Sequence, residues 1–128
     1  MERVILVIGD TQILIDAMEM ILASEGYQIV KADYDNIFAV VEMHLPKLIL
    51  FDLDLRFSNA RQLLKELKKT ALTTNIPLII FSMRNNDLGN LKISKSDLVF
   101  DKPFELSSFL KAAAAPFFDS KKELRKFN

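Results

Sequence analysis

Leu48-Ile49-Leu50-Phe51-Asp52-Leu53-Asp54-Leu55 decides how this chain reads. Four apolar residues run directly into a carboxylate, Asp52, and a second, Asp54, follows two places on. A continuous apolar run of this kind reads as a strand buried on both faces, as in a parallel sheet. Asp52 then stands where the strand ends. In open α/β sheets, ligands bind in the crevice outside the carboxyl ends of the strands. What matters next is which other polar residues reach that edge.

Val4–Ile8 and Leu78–Phe81 are apolar runs of the same kind, and Leu98–Phe100 is a shorter one. Tyr27–Ala32 alternates loosely and reads as a strand nearer a sheet edge. Helical patterns fill the intervals. Asp10 or Thr11 can cap a first helix with apolar Leu14, Ala17, Met18, Ile21 and Leu22, its stripe widened by Ile13, Ile15 and Met20. It ends at Ser24-Glu25-Gly26, where Gly26 suits a left-handed conformation. Asp33–Asn36 supplies a turn and cap for a helix over Ile37–His44, which Pro46 closes. His44 sits at that helix end, where a cation complements the dipole. After a loop at Arg56–Asn59, Ala60–Thr70 is a third helix, with Leu63, Leu64 and Leu67 inward and Arg61, Lys65, Lys68 and Lys69 outward. Met83–Ser96 is rich in turn formers and supports at most a short or irregular fourth helix. Glu105–Ala115 is a fifth, with Leu106, Phe109, Leu110, Ala113, Ala114 and Phe117 at helical spacing and Pro116 ending or kinking it. Strand and helix alternate five times without an internal repeat, which implies a parallel sheet, right-handed crossovers and helices on both faces.

Composition narrows the function. The chain has 128 residues, half of them hydrophobic, which suits one domain with a real core and argues against disorder. Seventeen basic and seventeen acidic residues cancel, which argues against a nucleic-acid binder driven by phosphate neutralisation. The chain holds no cysteine and a single histidine, His44, so disulfides, thiolate metal sites and multi-histidine sites are excluded. The apolar run near Met1 is too short for a signal sequence or a membrane span, so a cytoplasmic protein is expected.

Four polar residues converge at the sheet edge: Asp10 after strand 1, Asp52 at the end of strand 3, Ser82 at the end of strand 4 and Lys102 after strand 5. Two neighbouring carboxylates repel unless a cation lies between them. A hard divalent ion with oxygen ligands, Mg²⁺ above all, resolves that conflict. With a hydroxyl and an ammonium added, the set can hold a phosphoryl group, and Asp52 can attack phosphorus as a carboxylate nucleophile.

At this point the chain resembles a response-regulator receiver domain of two-component signalling, from about Val4 to Phe118. The resemblance is carried by Ile5-Leu6-Val7-Ile8-Gly9-Asp10, by Pro46 to Leu55, by Ile76-Pro77-Leu78-Ile79-Ile80-Phe81-Ser82 and by Asp101-Lys102-Pro103-Phe104, in that order and spacing. It implies a flavodoxin-like (βα)5 fold whose five-stranded parallel sheet has the order 2-1-3-4-5. It implies that Asp52 accepts phosphate from a bacterial histidine kinase or phosphotransfer protein. Asp10 and Asp52 would bind Mg²⁺ through their side chains, Asp54 through its backbone carbonyl, and Ser82 and Lys102 would hold the phosphoryl oxygens. The chain departs from the family in several places. Gly9 replaces the first of two adjacent acidic residues, which removes attraction for Mg²⁺. Arg56 stands for the usual proline, Ala60 for a glycine, Met83 for a small residue and Val99 for the aromatic that switches with the hydroxyl.

Three functions compete. The first is a phosphorylatable receiver in a phosphorelay, with no metabolic substrate, that signals by protein contact through the face made by the fourth helix, strand 5 and the fifth helix. Whether two copies pair through that face stays open. The second is a pseudo-receiver that docks or dimerises without regulated phosphate, a reading that Gly9 and Val99 support. The third is a phosphatase of the haloacid dehalogenase type, from the Asp-x-Asp at Asp52 and Asp54. Against it, that family carries the motif on its first strand, Arg56 is wrong for it, and no cap domain fits. Residues 1–118 are expected to form the domain and 119–128 a charged tail. No membrane contact and no nucleic-acid contact by this domain are expected.

Overall fold

A computed structural model of the chain describes residues 3–9, 12–53, 60–82, 98–101 and 105–117; for 12–14, 82 and 98–101 the description is of the backbone. The strands are β1 (Val4–Ile8), β2 (Gln28–Ala32), β3 (Leu48–Asp52), β4 (Leu78–Ser82) and β5 (Leu98–Asp101). The helices are α1 (Gln12–Ser24), α2 (Ile37–His44), α3 (Ala60–Lys69) and α4 (Leu106–Ala114), the last followed by a 3-10 turn at Ala115–Phe117. The five strands form one sheet in the order β2-β1-β3-β4-β5, and every neighbouring pair is parallel. The expected parallel sheet, in the order 2-1-3-4-5, is thus the observed one. The fifth expected helix is α4, and the fourth, over Met83–Ser96, falls outside the described residues.

Strand periodicity divides the core into two layers. Ile5, Val7, Leu48, Leu50, Ile79 and Phe81 point to one face and pack with α1 and α4 through Ile15, Met18, Leu22, Phe109 and Ala113. Leu6, Ile8, Ile49, Phe51, Leu78 and Ile80 point to the other and pack with α2 and α3 through Ile37, Val41, Leu64 and Leu67. β1 and β3 are buried at every position, so both read as unbroken apolar runs. β2 lies at the sheet edge and is mostly exposed or half-buried, which explains its looser alternation. Its Lys31 ammonium pairs with Asp16 at 3.7 Å and Glu19 at 3.2 Å on α1, and such a charge also blunts an open edge.

Three helix expectations need correction. The buried stripe of α1 is Ile15, Met18 and Leu22, while Ala17 and Met20 face solvent. So many apolar residues crowd this helix that spacing alone does not choose the stripe. Leu106 in the first turn of α4 is exposed, because the helix meets the sheet only from Phe109 onward. Asn36 occupies the N-cap position of α2 but makes no side-chain cap; its Oδ1 instead accepts from the Asp33 N–H at 3.0 Å.

Helix ends are closed locally. Gly26 follows α1 with φ +93°, in the left-handed region where a side chain is strained. After α3, the Thr73 hydroxyl donates to the Leu67 carbonyl at 2.5 Å and the Thr74 hydroxyl to the Lys68 carbonyl at 2.7 Å, satisfying two terminal acceptors. Leu45 ends α2 in the left-handed conformation (φ 48°, ψ 58°), with its N–H donating to the Val41 carbonyl. A leucine there carries about 1–2 kcal/mol of backbone strain, and its side chain is 68% exposed, so no packing offsets it. Leu45→Asn should therefore stabilise the fold by about 0.5–1 kcal/mol, read as a higher urea midpoint at unchanged slope.

Candidate functional site

β1 and β3 are adjacent strands from which the order runs in opposite directions, and such a reversal is where doubly wound sheets bind ligands. Asp52 is the last residue of β3, and Gly9 follows the last residue of β1. The two strands are in register at Ile8↔Phe51, which sets Gly9 next to Asp52 at the C-terminal edge. Strand alternation gives both the same face, the one packed against α1 and α4. Asp52 is 2% exposed.

The Asp52 backbone is held on both flanks. The next residue, Leu53, donates its N–H to the Phe81 carbonyl of β4 at 2.9 Å. The Asp52 carbonyl accepts a hydrogen bond from the Tyr34 hydroxyl at 2.6 Å, a buried contact. Tyr34 comes from the β2–α2 turn. An Asx arrangement shapes that turn, with the Asp35 N–H donating to Asp33 Oδ1 at 3.0 Å alongside the Asp33–Asn36 contact. The tyrosine ring packs on Phe51 at 5.7 Å between centroids. Its hydroxyl thereby reaches a backbone group distant in sequence.

Of the residues expected at the site, Asp52 and the backbone of Ser82 stand together at the edge. Asp52 pairs with Phe81, and Ser82 is one step beyond it, in register with Asp101. Asp10, Asp54 and Lys102 lie outside the described residues; Asp10 follows Gly9 and Lys102 follows Asp101 in the chain. Among the described residues no group of three or more Asp, Glu, His or Cys side chains forms a ready metal site. Sequence reasoning missed Tyr34, which it counted as one residue of a turn. The signal was present: an aromatic flanked by Asp33, Asp35 and Asn36 is unlike a solvated turn.

No family model matches the chain. Over 119 residues it is 32% identical to the phosphate regulon transcriptional regulatory protein PhoB of Klebsiella pneumoniae, a match that takes in 88% of this chain and 52% of that protein. The chain therefore spans about half the length of the curated relatives it matches. Among solved structures, the receiver domain of NtrX from Brucella abortus aligns with a TM-score of 0.70 and 25% identity, over 91% of this chain and 99% of that one. In sequence and in fold the chain is similar to response-regulator receiver domains. A further receiver, from a sensor histidine kinase of Pseudomonas aeruginosa PAO1, has the same fold at 18% identity, with a TM-score of 0.74 over 90% of this chain and 97% of that one, and was crystallised with a magnesium ion in its active-site cleft. These likenesses do not favour a docking-only pseudo-receiver. They give no support to the phosphatase either, and Asp52 stands on β3 rather than on a first strand.

The Tyr34 contact is directly testable. Tyr34→Phe keeps the ring against Phe51 and removes the donor to a buried carbonyl. The expected cost is about 1–3 kcal/mol in urea unfolding, with an unchanged far-ultraviolet circular dichroism spectrum.

Proposed function

We propose that this receiver domain accepts a phosphoryl group on Asp52 within two-component signal transduction. The observation that carries the reading is a buried carboxylate at the end of the central strand, on the reversal point of a receiver sheet. An Asp52 carboxylate oxygen attacks phosphorus, and the donor's bond to phosphorus, N–P in a phosphohistidine or O–P in acetyl phosphate, breaks. Ser82 at the end of β4 donates a hydrogen bond to a phosphoryl oxygen, and the Lys102 ammonium neutralises another.

A buried carboxylate is a hard oxygen donor of the kind Mg²⁺ takes, and Asp10 stands one residue past Gly9. The magnesium in the Pseudomonas receiver supports the same cofactor for this chain. Asp10 and Asp52 would hold the ion by their side chains and Asp54 by its backbone carbonyl. When bound, it supplies positive charge against the phosphoryl oxygens.

Receivers are signalling domains rather than metabolic enzymes, and the only chemistry proposed for this chain is gain and loss of its own phosphate. The donor is a histidine kinase or phosphotransfer protein. Output passes by protein contact through the face of Met83–Ser96, β5 and α4, where a second copy is one candidate partner. The domain is taken as 1–118, with 119–128 a charged tail, and its place of action as the cytoplasm of a bacterium. Among the described residues no helix is long and apolar enough to cross a membrane.

The test is incubation with Mg²⁺ and acetyl phosphate, read by intact-protein mass on wild type and Asp52→Asn. One phosphoryl adduct that requires Mg²⁺ and disappears in the variant is the expected result. Absence of any adduct, under conditions that label another receiver, would reject the proposal.

A further inference from the structure

Gly9 stands where receivers usually carry the first of two acids, and its loss first reads as a deficit of charge. The packing at this position shows a different constraint. A Cβ built on Gly9 would fall 2.7 Å from the Asp52 Cβ, 3.3 Å from Asp52 Oδ2 and 3.5 Å from Asp52 Cγ. Real Cβ atoms essentially never approach within 3.0 Å. The atom struck is not the end of a flexible side chain. It is the root of Asp52, fixed to a strand whose backbone is tied to β4 through Leu53 and to Tyr34 through the Asp52 carbonyl. Backbone conformation does not demand the glycine, because among the described residues only Gly26 is a glycine with positive φ. The demand at Gly9 is for space.

We propose that Gly9 is a positioning residue for Asp52: its missing side chain is the room in which the Asp52 side chain sits, so any residue at position 9 moves the phosphoacceptor. The identity of Asp52 as phosphoacceptor rests on the reading above; the steric coupling does not. This chain has exchanged charge for shape. A carboxylate restored at position 9 brings its attraction for a cation together with a collision at Asp52, and the collision prevails. Coulomb attraction between solvated groups is softened by water and salt, whereas overlap with a strand-anchored Cβ must be relieved by moving one strand end or rotating the reacting carboxylate.

Two measurements separate this proposal from the function it builds on. The first is a double-mutant cycle in thermal unfolding among wild type, Gly9→Ala, Asp52→Gly and the double variant. Gly9→Ala should lower the melting temperature of wild type by about 3–8 °C. It should cost little or nothing in the Asp52→Gly background, where no Cβ remains to be struck. Equal costs in both backgrounds, or no cost in either, would overturn the proposal whether or not the protein is ever phosphorylated. The second measures Mg²⁺ affinity by titration calorimetry with Mg²⁺ alone, and the rate of labelling by acetyl phosphate, in wild type, Gly9→Ala and Gly9→Asp. Both variants should label roughly ten- to a hundredfold more slowly, and Gly9→Asp should bind Mg²⁺ no more tightly than wild type. Tighter Mg²⁺ binding with faster labelling in Gly9→Asp would show that charge, not space, governs position 9. A wild-type protein that never labels rejects Asp52 as phosphoacceptor and leaves the unfolding cycle to decide the role of Gly9.

Discussion

The burial of one carboxylate at the end of an apolar central strand is the constraint around which this structure is arranged. Among the described residues two polar or charged side chains are buried, Asp52 and Thr73. Thr73 is accounted for by the fold, since its hydroxyl closes the carbonyl end of α3. Asp52 closes no helix end; it is the last residue of β3. A strand flanked by apolar neighbours on both sides would end as well in valine, and removing a carboxylate from water costs several kcal/mol unless its surroundings compensate. Its place at the carboxyl edge of the sheet, where α/β folds bind ligands, is the place the proposed chemistry requires.

Strand geometry then determines what surrounds it. Alternation along β3 sends Leu48, Leu50 and Asp52 to one layer and Ile49, Phe51 and Leu53 to the other. Alternation along β1, with the β1–β3 register, brings Gly9 to the same side as Asp52. The main chain of Asp52 is reached from the opposite layer, where Tyr34 packs with Phe51 and extends its hydroxyl to the carbonyl. The residue is thus fixed by side-chain room on one face and by a hydrogen bond from the other. Neither contact is a ligand in the proposed chemistry, yet together they settle where the carboxylate can be.

Much of this was legible in the sequence, for identifiable reasons. β1, β3 and β4 are runs of apolar residues bounded by polar ones, and such runs locate strands to within a residue. Asp52 and Ser82 were found because a polar residue at the end of a buried run can only stand at the edge. Ile37–His44 was found because a turn at Asp33–Asn36 precedes it and Pro46 closes it. The α1 stripe was not legible, because Ile13, Leu14, Ile15, Met18, Met20, Ile21 and Leu22 satisfy several phases at once. Nor were the two contacts that position Asp52. The Tyr34 hydroxyl bonds to a backbone group 18 residues on, and the crowding at Gly9 arises between strands remote in sequence. Local pattern marks Tyr34 as unlike a solvated turn residue but names the partner in neither contact.

Gly9 also alters the energetics of the resting site, beyond its sterics. Clustered carboxylates destabilise a folded protein by mutual repulsion and attract a divalent cation by the same field. Replacing one acid with glycine weakens both effects at once. In the proposed site, with Asp10 and Asp52 as its carboxylates, the metal-free state would have less repulsion to bear and a bound cation less to relieve. Because a ligand stabilises a fold only through its preference for the folded state, a metal held in the proposed site would contribute less to folding than it would beside three acids. The fold holds Asp52 in place by contacts of its own, without an ion. The Tyr34 hydrogen bond, the tie from Leu53 to β4 and the side-chain-free Gly9 are the means by which it does so.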